Sequence, residues 1–205
     1  METFVVSATT GFFAELNALL IALQGVSVTS TLVAYGRVTH NPGDYVVIQG
    51  RHLQLEVRLP LVGPIECALA NRLPDQVHIT VVQAVSPPGP GYTTSGFARF
   101  ADAIFLPFLV SYHERHRAEI ESKFRQGRTS WPSPWQMSWA LRNAVSHDGR
   151  VFEKHTQRAV HWRGLTFSPS DEPAKQLLQL VNGADMLVLM LEMEEARAGR
   201  PLPRA

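Results

Sequence analysis

The segment RHLQLEVRLPLV, residues 51–62, indicates the fold class more directly than any other stretch of the chain. Its apolar residues alternate with polar ones, and this period of two is typical of a strand with one buried and one solvated face. Val, Thr, Ile and Leu are similarly enriched at 26–38 and 76–84, and turn-forming residues such as those at 41–44 separate these stretches. We therefore predict a mostly antiparallel sheet whose strands lie within 26–38, 45–61 and 76–84.

A run of proline and glycine, SPPGPG at residues 86–91, marks the strongest predicted boundary in the chain. Proline lacks a backbone donor and disfavours helix, so such a run is typical of a linker. An apolar helical stretch near 11–24 precedes the predicted strands. The predicted organisation is an α+β unit of unknown role at 1–85, a Pro/Gly linker at 86–92, a helical domain at 93–198 and a flexible tail at 199–205.

Beyond the linker the apolar residues recur at steps of three and four, which predicts a long helix at 95–126. Pro107 is expected to kink or divide that helix. A second helix is predicted to begin with Ser133 as its N-cap and Pro134 at its first position, and to end near His147. The other predicted elements are a hairpin within 150–167, a capping sequence at 170–173 and a long apolar helix at 174–196, so the second domain is a helical bundle with an inserted hairpin.

Composition limits the class of protein. The chain has 205 residues, 45% of them hydrophobic, and a net charge of +1, so it can bury a core but is not basic enough overall to bind nucleic acid by charge alone. Binding to RNA would need a local basic patch. The single Cys67 excludes an internal disulfide and a multi-cysteine zinc site, which favours a cytoplasmic location.

The apolar stretch FFAELNALLIALQGVSV at 12–28 is interpreted as a core helix. No basic residue precedes Arg37, so the charged start of an export signal is missing. Glu15, Asn17 and Gln24 interrupt what would otherwise be a membrane span. We therefore expect no membrane partner.

The stretch SWALRNAVSHDGR, residues 138–150, carries the chemistry of the second domain. Its predicted helix ends with Arg142, Asn143 and His147. Acid–base chemistry on a phosphodiester needs an imidazole that can move protons and a cation that can hold phosphate oxygens. Arg142 supplies the clamp and His147 the acid–base group. Asn143 precedes His147 by four residues, so it can share a helix face with the imidazole and orient it.

The stretch LRNAVSHDG resembles the signature of the HEPN superfamily of small helical bundles, in which an arginine and a polar residue precede a histidine near a helix end. The resemblance covers residues 95–196. It implies a metal-independent endoribonuclease without cofactors, in which two copies meet as a homodimer and the RNA 2′-hydroxyl attacks the adjacent phosphate to leave a cyclic phosphate. Arg142 is then the transition-state clamp, Asn143 the polar motif residue and His147 the acid–base group. RNA is the implied substrate, and a protein partner or antitoxin fits a defence, toxin or RNA-processing role.

Other interpretations stay open at this point. The chain can be a non-catalytic HEPN-like module that dimerises or binds a ligand or protein, with the first domain as its sensor. Alternatively, Arg142 and His147 only cap a helix end, where the helix dipole favours cations. Arg115, His116 and Ser146 are weaker candidates for substrate binding. The polar cluster His113 to Arg117 can instead be a solvated helix face, and no metal is expected because its histidines lack a zinc-helix spacing.

Overall fold

The structure is a computed structural model that describes residues 1–35, 43, 45–60, 62–84, 96–125, 127–146, 159–168 and 175–204. These residues form helices and an antiparallel sheet, which confirms the predicted α+β class. The chain divides into two compact units. The N-terminal unit contains Met1–Gln49, Gln54–Ile104 and Leu202–Ala205, and the C-terminal unit contains Gly50–Leu53 and Phe105–Pro201. The predicted linker at 86–92 lies outside the described residues, and the domain limits taken from the sequence stay predictions.

The N-terminal unit is a four-stranded sheet with two helices. Its elements are β1 Glu2–Ser7, α1 Phe13–Tyr35, β2 Tyr45–Gln49, β3 Leu55–Pro60, α2 Val62–Leu69 and β4 Gln76–Gln83. The strand order is β1-β4-β3-β2, and every neighbouring pair is antiparallel. Both edges of the sheet are therefore strands that flank α1 in the chain.

Alternation decides which face of this sheet is buried. Along β3, Leu55, Val57 and Leu59 are buried while the residues between them are half-buried. In the register with β4, Val57 lies opposite Val81. The helices α1 and α2 pack against each other and supply the remaining apolar side chains of this core. The buried residues of β1, β4, α1 and α2 include Phe4, Val6, Val77, Ile79, Phe13, Leu16, Leu20, Leu23 and Cys67.

Two predictions for this unit need correction. The stretch 26–38 was expected to contain a strand, but α1 continues as helix to Tyr35. Val and Thr favour strands only weakly, so they do not end a helix that the periodicity of the preceding residues has already established. The strand β1 and the short helix α2 were not anticipated, and α2 begins with Val62, Gly63 and Pro64. Proline is tolerated in the first turn of a helix, where its missing donor has no partner to lose.

Residues 202–204, which fall within the predicted flexible tail 199–205, make contacts in the N-terminal unit. Leu202 is buried, and the carbonyl of Pro203 accepts a hydrogen bond from the backbone N–H of Val5 at 2.9 Å. The guanidinium of Arg204 lies 3.8 Å from the ring centroid of Phe4. These contacts belong to the N-terminal unit, so the chain end completes an edge of its sheet.

The C-terminal unit is mainly helical. Its elements are α3 Gly96–Lys123, whose first residues belong to the N-terminal unit, α4 Ser133–Ser146, β5 Val160–Trp162, β6 Leu165–Phe167, α5 Lys175–Leu180 and α6 Gly183–Ala198. The predicted apolar stripe of α3 is confirmed from Phe105 onward, since Phe105, Phe108, Leu109 and Tyr112 are buried. The side chains of residues 96–101 lie outside the described ones. Pro107 lies inside α3 without dividing it. The hairpin of β5 and β6 lies within the predicted range 150–167, of which 150–158 are outside the described residues.

The helix predicted at 174–196 is instead two helices. It breaks at Val181 and Asn182, because the Asn182 side chain accepts a hydrogen bond from the N–H of Asp185 while the Asp185 carboxylate accepts one from the N–H of Asn182. This reciprocal capping box starts α6 afresh. The next residue, Gly183, packs so closely on Phe105 that a Cβ would overlap the ring.

The Asp185 carboxylate also binds a separate segment of the unit. Its two oxygens accept hydrogen bonds from the N–H groups of Arg51, His52 and Leu53 at 2.9, 3.1 and 2.9 Å. The side chain is fully buried, so these donors replace the water that an ionised carboxylate would otherwise require. None of the described helices is both long and apolar enough to cross a membrane.

Candidate functional site

The helix α4 places the predicted motif at the end of a well-packed element. Trp135, Met137, Ala140, Leu141 and Ala144 are buried and form its apolar face. The indole N–H of Trp135 donates to the carbonyl of Met193 on α6 at 2.9 Å. The buried apolar face therefore fixes α4 against the rest of the unit, and Arg142 does not belong to that face.

The start of α4 differs from its prediction. Ser133 is the first helical residue, and its hydroxyl donates to the carbonyl of His161 on β5. The carbonyl of Pro132 instead accepts the first helical hydrogen bonds, from the N–H groups of Trp135 and Gln136. The Ser133 hydroxyl thus ties the helix to the hairpin, a tertiary contact that the local cap pattern did not reveal.

Arg142 makes two polar contacts within its own chain. Its Nε donates to the carboxylate of Glu114 on α3, and its Nη1 donates to the side-chain oxygen of Asn143 at 3.0 Å. The Arg142 and Glu114 side chains remain 27% and 40% exposed. Among the described residues, nothing bonds Nη2 of Arg142. The guanidinium is thus oriented by two acceptors and retains donors for a third.

The other two motif residues differ in how far the structure describes them. Asn143 is buried, and its side-chain oxygen accepts a hydrogen bond from Arg142 rather than from solvent. His147 follows the last residue of α4 in the sequence and lies outside the described residues. Ser146 ends α4, but its side chain is outside them as well. The structure therefore brings together Arg142 and Asn143, and the placement of His147 and Ser146 stays a prediction.

Glu114 is the contact that sequence reasoning did not assign to Arg142. It lies on the polar side of α3, and 28 residues separate it from Arg142. A pair at that separation exists only because α3 and α4 pack together, so neither helical periodicity nor motif spacing could indicate it. The sequence offered only a carboxylate on a polar stretch of helix.

His113 is not part of a solvated helix face. It is fully buried, and its ring lies 5.5 Å and 6.1 Å from the ring centroids of Trp135 and Trp131. Nδ1 of His113 is 2.8 Å from the Ser138 hydroxyl, which itself donates to the carbonyl of Trp135. The hydroxyl hydrogen is thereby used, so Nδ1 must be the donor and Nε2 carries the lone pair.

Burial lowers the pKa of His113 to about 4. The positive charges of Arg117 and Arg142 act in the same direction, and Glu114 opposes them. Nε2 is buried without a hydrogen-bond partner among the described residues, so a proton there would meet no acceptor. At pH 7 His113 is a neutral core histidine that joins α3 to α4.

Arg115 and His116, the weaker substrate candidates on α3, differ in their exposure. Arg115 is exposed, whereas the side chain of His116 is 16% exposed and lies against Tyr112, with ring centroids 4.9 Å apart. Nδ1 of His116 is 3.3 Å from a carboxylate oxygen of Glu119. His116 therefore belongs to a network of side chains between α3 and α6, while Arg115 faces solvent.

A second cation lies close to this end of α4 without having been predicted. The guanidinium of Arg128 stacks over the Trp139 ring at 3.9 Å from its centroid. Burial, followed by the charge of Arg117, lowers the pKa of Arg128 below its ordinary value. Trp139 is half-buried and precedes Arg142 by three residues, so the two arginines flank one side of α4.

The region offers no ready metal centre. Among the parts of the chain that the structure describes, no group of three or more His, Cys, Asp or Glu side chains is placed to hold a metal ion. The donors at the end of α4 are a guanidinium and an amide, which suit anionic oxygens.

Comparison with known proteins adds no relative: no protein-family model, no curated protein and no solved structure matches this chain.

Proposed function

We propose that the chain is a cytoplasmic, metal-independent endoribonuclease of the HEPN type, with Arg142 and His147 in its active site. The observation that carries the proposal is the state of Arg142. Glu114 and Asn143 fix the orientation of its guanidinium, while part of it stays exposed with Nη2 unbonded by the described residues. A pre-oriented guanidinium with spare donors is suited to two oxygens of a phosphate.

The proposed reaction follows from what RNA supplies. The ribose 2′-oxygen attacks the adjacent phosphorus, its proton passes to a base, and the bond to the 5′-oxygen breaks as an acid protonates that oxygen. The products are a 2′,3′-cyclic phosphate and a 5′-hydroxyl. Arg142 offsets the negative charge that develops on the non-bridging oxygens, and His147 moves protons.

A homodimer is part of the proposal because the reaction needs both a base and an acid. His147 is the single histidine of the motif in each chain. Two copies would supply two imidazoles and two guanidinium groups to one phosphate. A role in defence, as a toxin paired with an antitoxin, or in RNA processing belongs to the same proposal.

A second function is favoured by the same contacts. Because Arg142 is already bonded within its own chain, the motif can serve a non-catalytic module that dimerises or binds a ligand or protein. In that function Glu114 neutralises the cation, and RNA is not cleaved.

The deciding experiment incubates the wild-type protein and the variants Arg142→Ala, Arg142→Lys and His147→Ala with mixed RNA in EDTA, and maps the new ends. We expect cleavage by the wild type that leaves cyclic or 2′/3′-phosphate ends. Both alanine variants should lose roughly 100-fold or more in rate, as for removal of a transition-state donor or acid–base group. Arg142→Lys should stay impaired because lysine keeps the charge but not the planar fork.

A matched control is Arg200→Ala, which removes an exposed arginine of the same unit outside the motif. It should cleave like the wild type. Equal cleavage by all five proteins would indicate a contaminating nuclease and overturn the proposal in favour of the binding module. Cleavage that EDTA abolishes would overturn the metal-independent mechanism.

A further inference from the structure

The N-terminal unit carries a cleft on the sheet face that is opposite to its core. The residues of this face alternate with the buried ones, and one row crosses all four strands. In the register of the sheet, Val47 lies opposite Arg58, Arg58 opposite Thr80, and Thr80 opposite Thr3. Three of these four residues are polar, and Thr3, Arg58 and Thr80 are half-buried on a face that the core does not use.

The cleft has a volume of about 450 Å³, which is within the usual range for small-molecule sites. Its polar wall includes Arg58, His78, Thr3 and Thr80, and Tyr45 and Glu66 lie at other positions on its lining. These residues come from the four strands and from α2. The site is therefore assembled by the whole unit and not by one loop.

Arg58 supplies the cation of the cleft lining. Its Nε is buried and has no hydrogen-bond partner among the described residues. Its Nη2 reaches a carboxylate oxygen of Glu56 at 3.4 Å, a long contact. The Arg58 side chain is nevertheless 34% exposed, and its guanidinium retains N–H donors for an acceptor that enters the cleft. A phosphate oxygen is such an acceptor, and the guanidinium fork can bind two.

The surroundings of Arg58 add further donors. The hydroxyls of Thr3 and Thr80 are hydrogen-bonded at 3.2 Å on neighbouring strands, so one donates to the other and the remaining hydrogen can be donated to an anion. His78 is exposed two residues from Thr80 on β4, and its ring N–H is a donor even without a positive charge. Several donors that converge from separate strands fit a tetrahedral phosphate better than a flat carboxylate.

The rest of the cleft suits a sugar and a ring. The side chain of Tyr45 is 47% exposed, and the Arg58 guanidinium lies 5.1 Å from its ring centroid. This pair offers a flat surface on which an aromatic base can stack. Pro60 and Val62 add apolar lining. Glu66, exposed on α2, offers carboxylate oxygens that accept hydrogen bonds from sugar hydroxyls.

We propose that this cleft binds a mononucleotide, with its phosphate on Arg58 and the two threonines and its base on Tyr45. The assignment rests on the cleft, the partly exposed guanidinium of Arg58 and the adjacent aromatic ring, and it is independent of ribonuclease activity. It gives the N-terminal unit the role of a nucleotide-binding unit.

Titration calorimetry on the full chain tests the proposal with AMP, GMP, CMP and UMP, and with adenosine and inorganic phosphate as partial ligands. We expect at least one nucleotide to bind, and both partial ligands to bind at least tenfold more weakly than it. Arg58→Gln should weaken nucleotide binding by about ten- to 100-fold, as expected for loss of a charge-assisted hydrogen bond. Tyr45→Leu should weaken nucleotide binding but not phosphate binding.

The matched control is Arg72→Gln, which removes the same charge from an exposed position of the same unit that does not line the cleft. It should bind like the wild type. If Arg58→Gln does not fold by circular dichroism, Arg58→Lys, which keeps the charge and the stem, takes its place. Failure of all four nucleotides to bind at millimolar concentration overturns the proposal. Equal binding of nucleotide and inorganic phosphate, or equal losses in Arg58→Gln and Arg72→Gln, does so as well.

Discussion

Two clusters in the C-terminal unit each pair an arginine with a carboxylate, but they differ in burial and in the donors that remain. Glu194 on α6 is 3% exposed, and Arg197 binds its two oxygens at 2.9 and 2.8 Å while the Tyr112 hydroxyl donates to one of them. In the other cluster, Arg142 and Glu114 share one bond and remain partly exposed. In the first cluster the carboxylate is buried and both of its oxygens are bonded, whereas in the second the arginine retains donors.

The buried cluster perturbs its members as a structural network should. Burial, and then the Glu194 carboxylate, raise the pKa of Tyr112 well above its ordinary value. Hydrogen bonding to Glu194 is the main cause that raises the pKa of Arg197. Each group favours the protonation state that bonds the others, so the cluster joins α3 to α6 as a unit. The difference shows that burial and remaining donors, rather than the presence of a charged pair, distinguish a structural arginine from one available to a ligand.

The strongest test of this comparison replaces each arginine with methionine. Arg197→Met removes the cation from the buried Glu194 carboxylate, and we expect the free energy of unfolding to fall by about 3–5 kcal/mol. Arg142→Met breaks a partly exposed pair and should cost about 1 kcal/mol or less. Urea denaturation at pH 7 measures both. Similar losses in the two variants would contradict the distinction, and Glu194→Gln combined with Arg197→Met should recover part of the larger loss.

His113 gives a second test, because it lies between the helices that carry Arg142 and Glu114. Its folded pKa of about 4 is below the ordinary histidine value of 6.5, so the unfolded chain takes up the proton first as the pH falls. The stability is fully present above pH 6.5 and is lost between pH 6.5 and about 4, by roughly 3 kcal/mol.

The measurement compares urea denaturation of wild type and His113→Asn across that pH window. The variant should be less stable at pH 7 because it loses ring packing, but its stability should fall less steeply with acid. His161→Asn, a change at an exposed position on β5, is the control and should keep the wild-type slope. A wild-type slope in His113→Asn would show that other groups cause the acid sensitivity.

The fold was predictable where one periodicity governed a segment. The alternation in 51–62 correctly indicated β3, and the stripe on α3 correctly placed Phe105 and Tyr112 in the core. The fold was not predictable where a single side chain ended one helix and began another. The apolar run through 174–196 reads as one helix, but Asn182 caps a new one and Gly183 fits under Phe105. Such breaks depend on tertiary contacts that a local pattern does not contain.

The candidate site shows the same limit. The helix that carries Arg142 and Asn143 could be predicted from the sequence, and α4 runs from Ser133 to Ser146, the last described residue before the predicted stop near His147. The ion pair with Glu114 and the burial of His113 could not, since both depend on how α3 packs against α4. A polar residue on a polar stretch of helix has the same local signature whether it meets solvent or a neighbouring helix.

The smallest expected change in stability comes from Glu114, and its effect on function sharpens the comparison most. Because the pair is partly exposed, Glu114→Ala and Glu114→Gln should each change the free energy of unfolding by less than about 1 kcal/mol. Under the proposed ribonuclease function, Glu114 is a positioning residue that holds Nε of Arg142. Glu114→Ala lets the guanidinium rotate, so we expect kcat for RNA cleavage to fall roughly tenfold.

Glu114→Gln keeps an oxygen that can accept from Nε but removes the negative charge that competes with phosphate. It should therefore retain kcat close to that of the wild type and lower KM. This rescue by the conservative variant separates positioning from mere charge balance, because charge balance alone predicts the same behaviour for Ala and Gln. If both variants cleave RNA with unchanged kcat and KM, Glu114 has no part in orienting Arg142. The Arg142–Glu114 cluster would then differ from the Arg197–Glu194 cluster only in how exposed its side chains are.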